Sequence, residues 1–386
     1  MKLRLKLHLI ILIVIWFFTF YYHERYLPYK AARSCDWSNW NHHDVGHKYP
    51  SENNDNNNNN NNNHNINDDN NDSEYYKIML IADPQLIDNH TYPNYNNFLL
   101  TLSKITSDNY LKKNFKSLSN YLKPQALIFL GDYLDNGRSS SSEYYSNEFN
   151  RFQNIFKNYN NLNSNKIIMI PGNHDIGFGN GVKLDSVQRY EENFGTLIPK
   201  QLFNFLIIPL DSLSLSNSEN PKIYSKPQKF LDNLSNQEKL LPRILLSHVP
   251  LIRNQDDYCG KYRESNIFPF TKGYQYQTVL DSDISNDILD KIKPDLIFSG
   301  DDHDYCEVYH DIHNNKKKVK EITVKSISMT MGIKYPAVQL LTVYKNKNNN
   351  DENYLKYETE ICYLPTPYID IITYVILSII SGLTII

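Results

Sequence analysis

Apolar residues in this chain gather in short, nearly uninterrupted runs that end on glycine, proline or a charged side chain. Residues 77–82 (KIMLIA) end on Asp83, 125–130 (QALIFL) on Gly131-Asp132, and 167–170 (IIMI) on Pro171-Gly172-Asn173-His174-Asp175. Residues 243–247 (RILLS) deliver His248, and 295–299 (DLIFS) deliver Gly300-Asp301-Asp302-His303. Runs this short, bounded by turn-forming residues, predict strands buried on both faces. Further strands are predicted at 202–210, 324–328 and 338–344, helices at 98–122 and 142–159, and a polar insert at 212–222. Alternating strands and helices predict an α/β domain of two mixed sheets with helices outside, over 76–347.

Two apolar segments are of another kind. Residues 7–23, entered through the basic tail 1–6, run into Tyr21-Tyr22-His23-Glu24-Arg25 with no small-residue cleavage site. This predicts a transmembrane signal anchor rather than a cleaved signal peptide. Arg25, Lys30 and Arg33 nearly balance Lys2, Arg4 and Lys6, so charge leaves the orientation open. Residues 368–386 carry a single charge, Asp370, and have the length of a second transmembrane helix; the chain ends there without a polar tail, so its continuation past Ile386 stays open. Both ends in one membrane would hold the domain on one side of it. Residues 24–75 read as a linker, because the Asn-rich run 53–63 buries too little apolar surface to offset ordering entropy. Trp37 and Trp40 serve either as interfacial anchors or as packing on the domain. Residues 345–353 read as a polar loop and 348–367 as a second linker.

A net charge of -3 excludes the basic field that gathers nucleic acid, so no nucleic-acid partner is expected. It leaves a phosphate substrate open, since divalent cations would supply positive charge locally. Four cysteines, Cys35, Cys259, Cys306 and Cys362, are too scattered for a zinc module, and their pairing stays open. Glycosylation sequons stand at Asn71, Asn89 and Asn233 and matter only for a lumenal domain.

Five strand ends that carry carboxylates, an amide and imidazoles suggest a two-metal hydrolytic site. Hard oxygen ligands with imidazoles suit Mn²⁺, Zn²⁺ or Fe. The order D-x-Q, G-D-x-x-D, G-N-H-D, a lone histidine and G-D-D-H is similar to that of the calcineurin-like metallophosphoesterase family, whose usual pattern is D-x-H, G-D-x-x-D, G-N-H-[DE], histidine and G-H-x-H. The resemblance spans about 77–344. It implies that Asp83, Asp132 and His303 hold one metal, and that Asp132, Asn173, His248 and Asp301 hold the other. Asp132 would bridge them, His174 would meet the substrate phosphate as a catalytic residue, and Asp175 would orient His174. Gln85 and Asp301 replace the usual histidines; Gln85 is a poor ligand, whereas Asp301 exchanges one ligand for another and favours Mn²⁺.

Those departures, with G-D-Y-L-D-N-G-R at 131–138 and F-S-G-D-D-H-D-Y-C at 298–306, closely resemble the fungal cell-division-control and mammalian GPI-remodelling group of metallophosphoesterases. That resemblance implies a glycoprotein of the endoplasmic reticulum or early Golgi membrane with a lumenal catalytic domain. Its substrate would be a GPI glycolipid or GPI-anchored protein, from which it removes ethanolamine phosphate on a mannose. Alternatives are a metallophosphatase for phosphoproteins or small phosphate esters, and a non-catalytic membrane receptor or adaptor. Arg138 is expected either at a phosphate oxygen or in a surface ion pair. Tyr305 reads as pocket or packing, and Cys306 as packed or disulfide-bonded. His42, His43 and His310 lack any motif context.

Overall fold

The structure, a computed structural model, describes residues 2–35, 37, 75–157, 162, 164–312, 317–344 and 355–385. The Asn-rich run 53–63, Trp40, His42, His43, Asn71 and the loop 345–353 lie outside the described residues. The chain enters through α1 (Lys2–Tyr21) and α2 (Leu27–Ser34), joined by a π-helical turn, Tyr22–Tyr26. Then follow β1 (Tyr75–Ile81), α3 (Asn97–Leu122), β2 (Ala126–Phe129), α4 (Ser142–Phe156) and β3 (Ile167–Met169). Next come α5 (Asn173–Ile176), α6 (Leu184–Phe194), β4 (Lys200–Leu202), β5 (Phe205–Pro209), α7 (Ser212–Leu215) and α8 (Pro221–Ser235). After these are β6 (Arg243–Leu246), β7 (Lys272–Gly273), β8 (Tyr276–Gln277), α9 (Ser282–Ile292) and β9 (Leu296–Ser299). The last elements are β10 (Cys306–Ile312), β11 (Lys317–Thr323), β12 (Ala337–Tyr344), β13 (Lys356–Tyr363) and α10 (Pro367–Ile385).

Two mixed sheets form the domain, in the orders β13-β12-β1-β2-β3 and β10-β11-β9-β6-β5-β4. Side chains alternate along each strand. Ile78, Leu80 and Ile128 of the first sheet therefore share one core with Phe205, Ile244 and Phe298 of the second. Their neighbours Met79, Ile81 and Phe129, and Leu245 and Ile297, point the other way into cores shared with the helices. This is the expected two-sheet α/β architecture. Helix α3 starts where the Asn96 side chain accepts the Leu99 N–H at 2.9 Å, a cap that satisfies an otherwise orphaned donor.

Several expectations need correcting. Residues 324–328 are not a strand: β11 ends at Thr323, and only Ser326 bridges onward, to Ala82. The run 202–210 is a hairpin, β4 with β5, and the polar insert 212–222 holds α7 and the start of α8. The second linker, 348–367, contains β13, an edge strand whose exposed face is polar, and the start of α10. Within the linker 24–75, α2 packs on the domain, Cys35 is disulfide-bonded to Cys362, and buried Trp37 donates to the Leu122 carbonyl at 2.6 Å. That hydrogen bond decides between the two roles open to Trp37, in favour of packing.

Leu7–Ser34 and Pro367–Thr384 are long and apolar enough to cross a membrane. They lie side by side: Trp16 Nε1 donates to Ser381 Oγ at 3.0 Å and its ring stacks on Tyr374. Where they meet the domain, Lys113 of α3 reaches Asp370 at 2.7 Å and Glu24 at 3.2 Å, and His23 Nδ1 lies 2.7 Å from Asp370. Burial makes such contacts depend on mutual pairing, because an ion left alone there would lose its hydration.

Candidate metal centre

The ends of β1, β2, β3, β6 and β9 bring together the turns that carry Asp83, Asp132, Asn173, His248 and Asp301 with His303. Among the described residues nine non-glycines have positive φ, and five of them, Asp83, Gln85, Asp132, Asp301 and His303, stand in these turns at 46, 27, 53, 65 and 67°. A Cβ makes this backbone region costly, and such residues persist where the surroundings over-determine them. The reversals turn side chains from both sheets toward one point. Two glycines permit the approach. A Cβ at Gly131, itself at φ 98°, would sit 2.4 Å from His248 Nδ1, and one at Gly172 would sit 2.1 Å from Asp132 Oδ1.

Asp83, Asp132 and His303 each offer a ligand atom, all within 4.8 Å of one another. Asp83 Oδ2 is buried with no hydrogen-bond partner, which leaves it to a cation. His248 Nδ1 donates to the Leu130 carbonyl at 2.6 Å, so the lone pair lies on Nε2. That nitrogen is 3.2 Å from Asn173 Oδ1 and 3.5 Å from both Asp132 Oδ1 and Asp301 Oδ1. Three acceptor oxygens around that nitrogen call for positive charge between them, whether a proton on Nε2 or a bound cation, and this donor set fits a hard or borderline divalent cation.

The titration tendencies have the same origin. Burial raises Asp83 well above the usual carboxylate range, and the charges of Asp132 and Asp301 raise it further. Burial opposes charge on His248, but Asp132, Asp301 and Asp83 outweigh it and raise the imidazole well above its usual value. Burial lowers His303, which favours the neutral form that a metal requires.

His174 borders the cluster and is partly exposed. Its N–H donates to Asp132 Oδ1 at 2.9 Å, and its ring Nδ1 lies 2.6 Å from the Asp135 carbonyl. The Gln85 amide nitrogen donates to Asp135 Oδ1 at 2.8 Å and lies 3.4 Å from both ring nitrogens of His174. The contact expected from Asp175 thus belongs to Asp135 and Gln85. The Asp175 carboxylate instead accepts the N–H groups of Tyr133 at 3.0 Å and Gly172 at 2.8 Å, tying the Asp132 turn to the Asn173 turn. Burial, with the Asp132 charge, raises its pKa to about 7.

Gln275, Arg263 and Lys325 were not legible as site residues. Asn173 Nδ2 donates to the Gln275 carbonyl at 3.3 Å, which leaves its Oδ1 facing His248. Arg138 is taken up within the turn, donating to the Asn173 carbonyl at 3.0 Å. Beneath the His303 turn, Arg263 pairs with Asp302, and Lys325 reaches Asp304 at 2.6 Å and Glu264 at 2.9 Å. Cys306 is disulfide-bonded to Cys259, binding the same loop. Tyr305 donates to Glu307 at 2.8 Å and packs on Tyr262. His310 lies away from the centre, on buried Glu321 at 2.6 Å.

A family model, the calcineurin-like phosphoesterases, matches residues 76–305. Cell division control protein 1 of Saccharomyces cerevisiae is 37% identical over 92% of this chain and 69% of its own length. Metallophosphoesterase 1 of Ailuropoda melanoleuca is 28% identical over 68% of each chain, and that of Xenopus laevis is 26% identical over 75% of this chain and 73% of its own. The chain belongs to the calcineurin-like phosphoesterase family. It has the family's α/β fold and a candidate metal-ligand cluster, and two apolar terminal helices consistent with membrane spans flank the domain. Gln85, which stands where the usual pattern has a histidine, lies against the His174 ring, and the Asp301 carboxylate faces His248.

Proposed function

We propose that this chain is a membrane-anchored two-metal phosphodiesterase that removes ethanolamine phosphate from a mannose of the GPI glycan. Its kinship with cell division control protein 1 and the metallophosphoesterases 1 supports the reaction class. The observation that carries the second cation is His248 Nε2, held among Asn173, Asp132 and Asp301 oxygens beside the Asp83, Asp132 and His303 cluster. Asp132 would serve both positions. Two divalent cations, Mn²⁺ before softer ions, would polarise the phosphoryl oxygens and neutralise charge developing on them.

The chain's own residues supply orientation and proton transfer. Asp135 and Gln85 fix the His174 ring at the edge of the cluster. Water forms the new bond to phosphorus and releases one proton to solvent, and the bond from phosphorus to the mannose oxygen breaks. His174, when protonated, gives that oxygen its proton. Asp175 acts on the turns and not on the phosphate. Two disulfides, Cys35–Cys362 and Cys259–Cys306, support an oxidising compartment, and hence a lumenal domain in the endoplasmic reticulum or early Golgi. Asn89 and Asn233 are exposed and open to glycosylation there.

The test is a glycolipid assay with the purified full chain and metals supplied one at a time. Release of ethanolamine phosphate from GPI intermediates, strongest with Mn²⁺, is expected. Turnover of phosphopeptides with the glycolipid untouched would overturn the substrate.

A further inference from the structure

The metal centre and the membrane lie at the same end of the domain. Strand β12 is antiparallel to β1, and β13 antiparallel to β12, so β13 runs in the direction of β1. Its last residue, Tyr363, pairs with Ala337, which bonds Ser326, which in turn bridges Ala82 beside Asp83. Helix α10 therefore leaves for the membrane from the strand ends that carry the metal-binding turns. It starts two strands from β1, about 10 Å at ~4.8 Å per strand.

Helix α3 runs back from that end, since it joins the parallel strands β1 and β2. Its inward face is occupied: Lys104 pairs with Glu148 at 3.1 Å, Asp108 with Arg151 at 2.6 Å, and Leu111 is in the core. Another face meets the membrane helices. Lys113 joins Asp370 and Glu24, Tyr110 donates to the Pro365 carbonyl at 2.6 Å, and Thr106 and Asn109 line a cleft of about 310 Å³ with Phe20, Ile371 and Tyr374.

Toward the start of α3, none of the described residues covers that face. Phe98 is 74% exposed, Leu102 51% and Ile105 53%, with Leu99 and Tyr95 exposed beside them. At about 100° per residue, Phe98, Leu102, Ile105, Asn109 and Lys113 fall within an arc of roughly 80°. One stripe thus begins on the membrane helices and ends as bare apolar side chains close to the metal-binding turns. Large exposed apolar groups in a row mark an interaction surface. Continuity with α1 and α10 selects the occupant.

We propose that the first half of α3, through Phe98, Leu99, Leu102 and Ile105, lies in the headgroup–acyl boundary of the bilayer that α1 and α10 cross. It is a third membrane contact, and it presents the metal centre to phosphodiesters held at the membrane surface. An amphipathic helix binds a bilayer in this way with its apolar face inward. The inference rests on α1 and α10 as membrane spans and not on the GPI substrate.

The test places the photoreactive residue p-benzoylphenylalanine at position 98 or 102 of the full chain in phosphatidylcholine vesicles. Position 240 is the control, exposed and just before β6, at the opposite end of the strands. Irradiation and mass spectrometry are expected to find lipid adducts at 98 and 102 and none at 240. Adducts to a second copy of the chain, or no adduct at 98 and 102, would overturn the assignment. In a second arm, the triple variant Phe98→Ser, Leu102→Ser, Ile105→Ser is expected to turn over a membrane-embedded phosphodiester about tenfold more slowly, because its approach is misaligned. Hydrolysis of soluble bis(p-nitrophenyl) phosphate should be unchanged. Equal loss on both substrates would assign the stripe to folding and overturn the proposal. No GPI is present in the crosslinking arm, so its failure is separable from failure of the glycolipid assay.

Discussion

His248 and Asn173 face each other across the centre, with Nε2 3.2 Å from Oδ1. They come from different sheets, β6 and β3, and both side chains are held from behind. Leu130 accepts from His248 Nδ1 at 2.6 Å, and the Asn173 amide donates to the Gln275 carbonyl. Each is thereby left with an electron pair aimed at the same space. His248→Ala is expected to weaken metal binding beyond the ~10- to 100-fold that loss of a supporting contact costs a metal site. Metal titration by calorimetry checks this, and unchanged affinity would remove His248 from the ligand set.

Gly172→Ala tests the packing of the Asp132 carboxylate. The added methyl would stand 2.1 Å from Asp132 Oδ1 and 2.2 Å from the Asp132 nitrogen, so the turn must move. Overpacking of this kind costs about 1–3 kcal/mol. The expected outcome is a lower thermal midpoint together with loss of metal-dependent hydrolysis. A variant with normal metal content and turnover would contradict the geometry.

Gln85→Ala separates support of His174 from metal binding. It removes the 2.8 Å hydrogen bond to Asp135 and the amide lying against the His174 ring. Turnover is expected to fall about tenfold, a part of the roughly 10²- to 10⁴-fold that a positioned acid–base group contributes. Metal content, read by inductively coupled plasma mass spectrometry, should stay the same. Loss of metal would place Gln85 among the ligands.

Glu321 is expected to contribute to acid stability. It is fully buried between Arg253 at 2.8 Å and His310 at 2.6 Å. Burial alone would raise its pKa, but Arg253 and His310 lower it from 4.5 to about 2. A depressed carboxylate stabilises the fold at pH above its unfolded value and loses that contribution as pH falls through the folded one. The window is therefore pH 4.5 down to about 2, and the contribution is about 3 kcal/mol. Thermal midpoints measured across that window should fall more steeply in the parent than in Glu321→Gln, whose midpoint at neutral pH should already be lower. Parallel profiles would contradict the assignment.

The sequence by itself determined the strand ends and their chemistry. β1, β2, β3, β6 and β9 are continuous apolar runs because both faces are covered, and the motifs follow directly on them, so the ligand types and the family could be read locally. β10 does not stand out as an uninterrupted apolar run, because CEVYHDI alternates with period two and only one of its faces is buried. β13 was missed because an edge strand needs few apolar residues. Tertiary structure alone decided what depends on register and closure between distant segments. It paired Cys35 with Cys362 across 327 residues, took the His174 contact from Asp175 and gave it to Asp135 and Gln85, and brought Arg263 and Lys325 under the His303 turn. It also set which end of the domain the apolar helix α10 leaves from. That follows from two antiparallel pairings, β1 with β12 and β12 with β13, which return the chain to the Asp83 end before α10 departs. No local run of residues encodes that direction, because it arises only when hydrogen bonds join strands more than 200 residues apart.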